Sequence, residues 1–172
     1  KTVTFKLRKG VKFQNGEPFN AQTVKYAFER AAAEKSTNKD KRLFQSMAFV
    51  KPVDDYTVVI GMKTIEPDLL FLLGQATAIM VEPKSSETNA TQPVGTGPFK
   101  LENWAKGSSI TLVRWPQWRN ASSIKLAKVT FRFISDPAAQ VASLLAGDVD
   151  AFPRVTAARS LDQIKADGRF QV

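Results

Sequence analysis

The sequence predicts an α/β protein, more closely an α+β fold with mixed sheets, on three observations. Period-two alternation marks several short strands, apolar stripes at helical spacing are interleaved with them, and Gly, Pro and polar runs punctuate the joins. At 172 residues the chain has room for one domain or two small lobes. Hydrophobic residues make up 43% and charged ones 24%, which is ordinary globular usage and enough to bury a core.

Val3, Phe5 and Leu7 alternate with Thr4, Lys6 and Arg8, and Val11 and Phe13 resume the alternation after Gly10, which predicts two short half-buried strands joined at a turn. The polar run Gln14 to Pro18 ends them. Asn20 is a good N-cap, and Val24, Ala27, Phe28 and Ala31 follow at i, i+3, i+4 and i+7, predicting a helix of about 14 residues packed on the sheet. Residues 34–42 are polar and aperiodic, hence a loop. Ala48 to Val53 and the run Tyr56, Val58, Ile60, Met62 flank the turn pair Asp54-Asp55, as in a β-hairpin. Pro67 introduces the apolar stretch Leu69 to Leu73, a buried helix that Gly74 closes, and Ala78 to Val81 reads as a short strand. Residues 84–93 have loop composition, and the main internal boundary is expected there, dividing 1–92 from 93–172.

Beyond the boundary, Phe99 to Trp104 and Ser109 to Arg114 flank Ala105-Lys106-Gly107, a second hairpin. Val129, Phe131 and Phe133 alternate. Asp136-Pro137 starts a helix whose stripe is Val141, Leu144 and Leu145 and whose stop is Gly147. Val149 to Phe152 is expected to be a strand, Thr156 to cap a helix carrying Leu161 and Ile164, and Arg169 to begin another strand, so that 128–172 makes a parallel α/β unit with right-handed crossovers. No internal repeat is visible.

With no His and no Cys, nucleophile systems built on His or Cys, thiol redox centres and Cys/His zinc sites are excluded. No apolar run approaches the ~20 residues of a membrane helix. The net charge of +9 is concentrated early: residues 1–42 hold 11 Lys/Arg against 4 Asp/Glu, and the remainder 14 against 12. Such a basic quarter suits a nucleic-acid surface, an anionic ligand, a partner protein or a solvated charged face.

Three constellations invite chemistry. Gly95-Thr96-Gly97 resembles part of a phosphate loop, but the spacing fits neither dinucleotide nor Walker patterns, which leaves a tight turn before Pro98. Arg114, Trp115, Trp118 and Arg119 interleave as in a base-stacking platform, or as aromatic packing under guanidinium cover. Asp148 and Asp150, two apart on the expected strand, share a face as an acid/base pair would; with Val149 inward, both are expected outward and solvated. No catalytic residue, metal site or cofactor is assigned.

The segments Phe5-Lys6-Leu7-Arg8-Lys9-Gly10-Val11-Lys12-Phe13, Asn15-Gly16-Glu17-Pro18-Phe19-Asn20-Ala21 and Val24 to Arg30, followed in order by Val53 to Val58, Pro93 to Leu101 with Trp104, and Asp136 to Asp150, resemble family 5 extracellular solute-binding proteins, the peptide/nickel-type receptors of ABC importers. The resemblance covers nearly the whole chain. It implies a partial periplasmic-binding-protein-like type II fold, a lobe one fragment with lobe two absent: 1–92 as the subdomain inserted in lobe one and 93–172 as part of that lobe's main sheet. The opening at Lys1, without Met or leader, and the close on Phe170-Gln171-Val172 fit an expectation of a piece cut mid-element. It further implies a non-enzymatic, periplasmic or extracellular monomer that captures oligopeptides or similar small polar solutes between two lobes. Delivery is to the permease, with contact to the membrane only through that permease or a lipid anchor outside this fragment, and no nucleic acid. A basic nucleic-acid-binding module is the alternative.

By the same resemblance, Ser36 to Met47 and Gln75 to Ala78 line the cleft. Asp40 and Arg42 would meet charged ligand ends, Phe44 would pack on the ligand body, and Ala76 and Thr77 complete the substrate-binding set. The nickel-binding branch carries Arg and Trp where this chain has Thr37, Asp40 and Ala76, so support for nickel-chelate binding falls. Where peptide-binding members show Arg-Asn-Pro-Asp-Tyr-Trp, this chain reads Arg114-Trp115-Pro116-Gln117-Trp118-Arg119.

Overall fold

A computed structural model describes residues 1–154 and 158–172. Two compact units emerge: Lys1–Glu102 with Leu112–Val129, and Asn103–Thr111 with Thr130–Val172. No helix among the described residues is long and apolar enough to cross a membrane.

The first unit is built on an antiparallel sheet of β1 (Thr2–Lys6), β2 (Met47–Asp54) and β3 (Thr57–Met62), ordered β1-β3-β2. Period two sends Val58 and Ile60 inward to essentially zero exposure. β2 carries Pro52, which cannot donate to a ladder; it is tolerated because β2 is an edge strand, and the register shifts between Pro52 and Asp54. Helix α1 (Ala21–Ala32) starts at Asn20, whose side chain accepts from the Gln22 and Thr23 amides at 3.0 and 3.1 Å while Thr23 Oγ1 accepts from the Asn20 amide. That reciprocal cap satisfies donors the first turn otherwise leaves open. Val24, Ala27, Phe28 and Ala31 then form one buried face against the sheet and against α2 (Lys41–Gln45), with the Phe28 and Phe44 rings 5.3 Å apart.

Four expectations for this unit change. Val11 and Phe13 make no second strand: Lys12 and Pro18 form an isolated bridge, the Phe13 amide donates to Glu17 O at 2.8 Å, and Phe13 is fully buried beside Phe19. The stretch 34–42 ends in the first residues of α2, whose two apolar side chains, Leu43 and Phe44, are too few to show a period. Helix α3 (Leu69–Leu73) buries Leu69 but leaves Leu70 and Phe71 65% and 70% exposed, so it is not a buried helix. Ala78 to Val81 forms no strand; its apolarity is explained by Ala78 and Met80 packing on the core.

A second sheet, ordered β4-β5-β6, comprises β4 (Phe99–Ala105), β5 (Ser109–Arg114) and β6 (Lys128–Arg132). Gly107, at φ +76°, makes the turn between β4 and β5 that a side chain would strain. In the second unit, α4 (Pro137–Ala146) follows the Asp136 cap, which accepts from the Ala139 amide at 2.7 Å, and stops at Gly147 in the left-handed conformation. Its Val141 and Leu144 meet Ile164 of α5 (Leu161–Ala166) in a small core. The expected strands at Val149 to Phe152 and from Arg169 do not form, and the parallel unit is absent among the described residues. Those segments instead contribute Val149, Phe152 and Phe170 to the α4–α5 core. The expected cap Thr156 lies outside the described residues.

Candidate functional site

Past the end of α1, a run of short polar side chains folds back on its own backbone. The Asn38 amide donates to Ser36 Oγ at 3.2 Å, and the Asp40 amide donates to Asn38 Oδ1 at 2.9 Å. Such i to i+2 bonds are what Ser and Asn do in turns. The same loop is stapled to a distant segment: Asn38 Nδ2 donates to the Thr77 carbonyl at 2.8 Å, and Thr77 Oγ1 donates to Asp40 Oδ2. Two stretches 37 or more residues apart in sequence are thereby held side by side.

Between them lies a groove of about 780 Å³, with Thr37, Asn38, Ala76 and Thr77 on its polar side and Ile79 and Met80 supplying an apolar wall. Arg30, Lys35 and Lys39 stand on its rim, all exposed, and no carboxylate is among its lining residues. Facing cations without counter-charge raise the local concentration of anions. The volume falls within the roughly 300–1,000 Å³ of small-molecule sites.

The expected site residues divide. Asp40 and Thr77 are brought into contact, and Ala76, exposed, lines the groove beside them. Arg42 is exposed on a neighbouring concavity of about 810 Å³, which Asp40 also borders along with Lys39, Lys41 and Glu66. Phe44, expected to pack on a ligand body, is instead 3% exposed and turned onto Phe28, so it supports the loop from the core side. Asn38 makes more of the loop geometry than any of these; the Ser36, Asn38, Asp40 spacing of two was the available signal for nested side-chain turns.

The other constellations resolve into structure. Gln14 clasps the glycine turn: its amide donates to Gly95 O at 3.0 Å, its Oε1 accepts from the Gly95 amide at 3.2 Å, and its Nε2 donates to Phe99 O at 2.7 Å. Trp115 is 5% exposed and so offers no stacking face, while Arg119 covers the Trp118 ring at 4.8 Å. Asp148 and Asp150 are exposed and lie on no strand.

One buried carboxylate was not singled out by sequence. Glu82 is 1% exposed; it accepts from the Lys84 and Ser85 amides and from Asn15 Nδ2, each at 2.8 Å. Burial alone would raise its pKa, but these donors outweigh burial and hold it below the ordinary carboxylate value. Its place is structural: it ties the 12–18 loop to the short 3₁₀ turn Pro83–Ser85.

Residues 1–172 match the family described as bacterial extracellular solute-binding proteins, family 5 middle. The glutathione-binding protein GsiB of Escherichia coli K12 is 31% identical over 157 residues, which span 88% of this chain and 31% of GsiB. Among solved structures, the PBP AgaA from A. tumefaciens R10, in complex with agropinic acid, superposes with a TM-score of 0.89 at 27% identity, over 98% of this chain and 35% of that one. A nickel ABC transporter protein from Bacillus halodurans gives 0.83 at 30% identity, over 98% of this chain and 34% of that one. The chain therefore spans about a third of the length of the relatives it matches.

Proposed function

Because this chain belongs to the bacterial extracellular solute-binding proteins of family 5, we propose that it supplies part of one lobe of the substrate-binding receptor of an ABC importer. Residues 1–92 serve as the inserted subdomain and 93–172 as part of the main sheet of that lobe. The receptor captures an oligopeptide or a similarly small polar solute and delivers it to the membrane permease. It works as a monomer in the periplasm or outside the cell, and it reaches the membrane through the permease or a lipid anchor. The role is binding rather than catalysis, in keeping with relatives that are themselves described as binding proteins.

The observation that carries this reading is the cation-rimmed, carboxylate-free groove between residues 35–39 and 76–81. Asn38, Thr37 and Thr77 offer polar atoms there, Ile79 and Met80 bury an apolar stem, and Arg30, Lys35 and Lys39 draw in a carboxylate. Asp40 positions the wall through Thr77. Agropinic acid in the AgaA complex and glutathione in the name of GsiB, both acidic solutes, support a carboxylate-bearing cargo. Capture requires a second surface to close on the solute, since closure is a population shift driven by contacts to both faces.

The test is calorimetric titration of di- to pentapeptides and of glutathione into a receptor that contains this segment within its complete chain. Saturable binding that weakens when Lys35 and Lys39 are both changed to Gln supports the reading. Affinity unaffected by that pair removes the groove from the site. The nucleic-acid alternative predicts instead retention on DNA with a steep dependence on salt.

A further inference from the structure

We propose that Asn89 determines which solutes the groove between 35–39 and 76–81 accepts, by donating its side-chain amide to a carbonyl oxygen of the cargo. The inference rests on the reading that this groove holds the transported solute. Asn89 is half-buried and lines the groove together with Pro93 and Val94. Its Oδ1 accepts from the Val94 amide at 3.3 Å and from Ser85 Oγ at 3.5 Å. A backbone N–H can only donate, so the bond from Val94 fixes which end of the side-chain amide is oxygen and which is nitrogen. The two hydrogens on Nδ2 are left without a partner among the described residues, and the atom is not sealed from solvent.

The other neutral side chains of the groove are differently employed. Asn38 already holds a bond at each end, to the Thr77 carbonyl and from the Asp40 amide, and Thr77 Oγ1 donates to Asp40. Ser36 and Thr37 carry hydroxyls, which rotate to suit whatever stands near them. Asn89 combines a locked orientation with two uncommitted donors. Such a group loses little freedom on binding, and it rejects a ligand that presents a donor of its own, because both groups are then left unpaired. Its neutrality divides the work with the rim. A carboxylate is drawn to Arg30, Lys35 and Lys39, which leaves the neutral N–H groups for a neutral acceptor such as the carbonyl of an amide. The cargo class that fits both is an acid that also carries a peptide bond, with its apolar stem on Ile79 and Met80.

The experiment titrates glutathione and trialanine into the complete receptor containing this segment, as the parent, as Asn89→Asp, as Asn89→Ala and as the Lys35→Gln/Lys39→Gln pair. Asn89→Asp keeps the oxygen that the Val94 amide meets but places a second acceptor where the donors were. It should bind about tenfold more weakly, with the unfolding midpoint of the parent. Asn89→Ala adds no charge and should lose about as much affinity. The ratio of parent to Asn89→Asp affinity should hold from about 0.1 M to about 1 M salt, over which the screening length falls from about 10 Å to about 3 Å. A ratio that falls to one at high salt would reduce the effect to the introduced charge and overturn the inference. Binding weakened by Asn89→Ala but not by Asn89→Asp would make the side chain a brace for residues 89–94 only, and would overturn it too. If the lysine pair weakens binding while both Asn89 variants match the parent, the groove stands and Asn89 has no part in it. Affinity indifferent to the lysine pair, or no binding by the parent, would remove the groove and Asn89 with it.

Discussion

Glu82 shows how one side chain can close a loop that has no regular structure of its own. Its three donors come from two segments, Asn15 on one side and the Lys84 and Ser85 amides on the other. Replacing it with Ala leaves those groups without partners at a buried position and is expected to cost roughly 3 kcal/mol. The lowered pKa gives the sign of the pH effect. The stabilisation is fully present above the unfolded-state value of about 4.3 and fades as pH falls through the lower folded value. Denaturant midpoints measured from neutral to acid pH should therefore fall less steeply for Glu82→Gln than for the parent chain; parallel curves would contradict this. At the candidate groove, Asn38→Ala removes the bond to the Thr77 carbonyl and the turn at Asp40, with an expected cost of about 1 kcal/mol. Amide exchange should rise at 36–40 first, and protection left intact there would mean that other contacts hold the loop.

Among the elements, α1 carries the first unit's core, so its cap and its buried face should separate cleanly by magnitude. Asn20→Ala loses the reciprocal cap and is expected to cost about 1 kcal/mol. Phe28→Ala opens a cavity beside Phe44 and is expected to cost about 3–5 kcal/mol. Thermal or denaturant unfolding distinguishes the two, and equal effects would refute the division. This helix, the β2–β3 and β4–β5 hairpins and α4 were legible in the sequence because each is announced locally by a cap, a period or a turn. Other elements depended on tertiary partners. The five-residue α2 has too few apolar positions to show a stripe, and Ala78 to Val81 is apolar because it covers the core, not because it joins a ladder. Val149 to Phe152 has strand composition, yet it packs under α4 and α5. The groove was legible in outline only: Ala76 and Thr77 followed from the family resemblance, while Asn38 required knowing which backbone carbonyl its amide meets.

At the scale of the whole molecule, the basic excess that a composition reading spreads over the first quarter resolves into distinct uses. Arg30, Lys35 and Lys39 rim the 35–39 and 76–81 groove, Arg8, Lys9 and Lys12 rim a hollow beside Trp115, and Lys25 lies 3.8 Å from Glu29. Only the first set is asked to meet a transported solute. The most direct measurement is the affinity of a receptor containing this chain for the di- to pentapeptides and glutathione of the proposed test, before and after Ala76→Trp, which fills the groove from an exposed position without touching the core. A solute held there should be lost or weakened by about tenfold or more while the unfolding transition stays in place. Unchanged affinity with Trp at position 76 would contradict the assignment of this groove to the ligand.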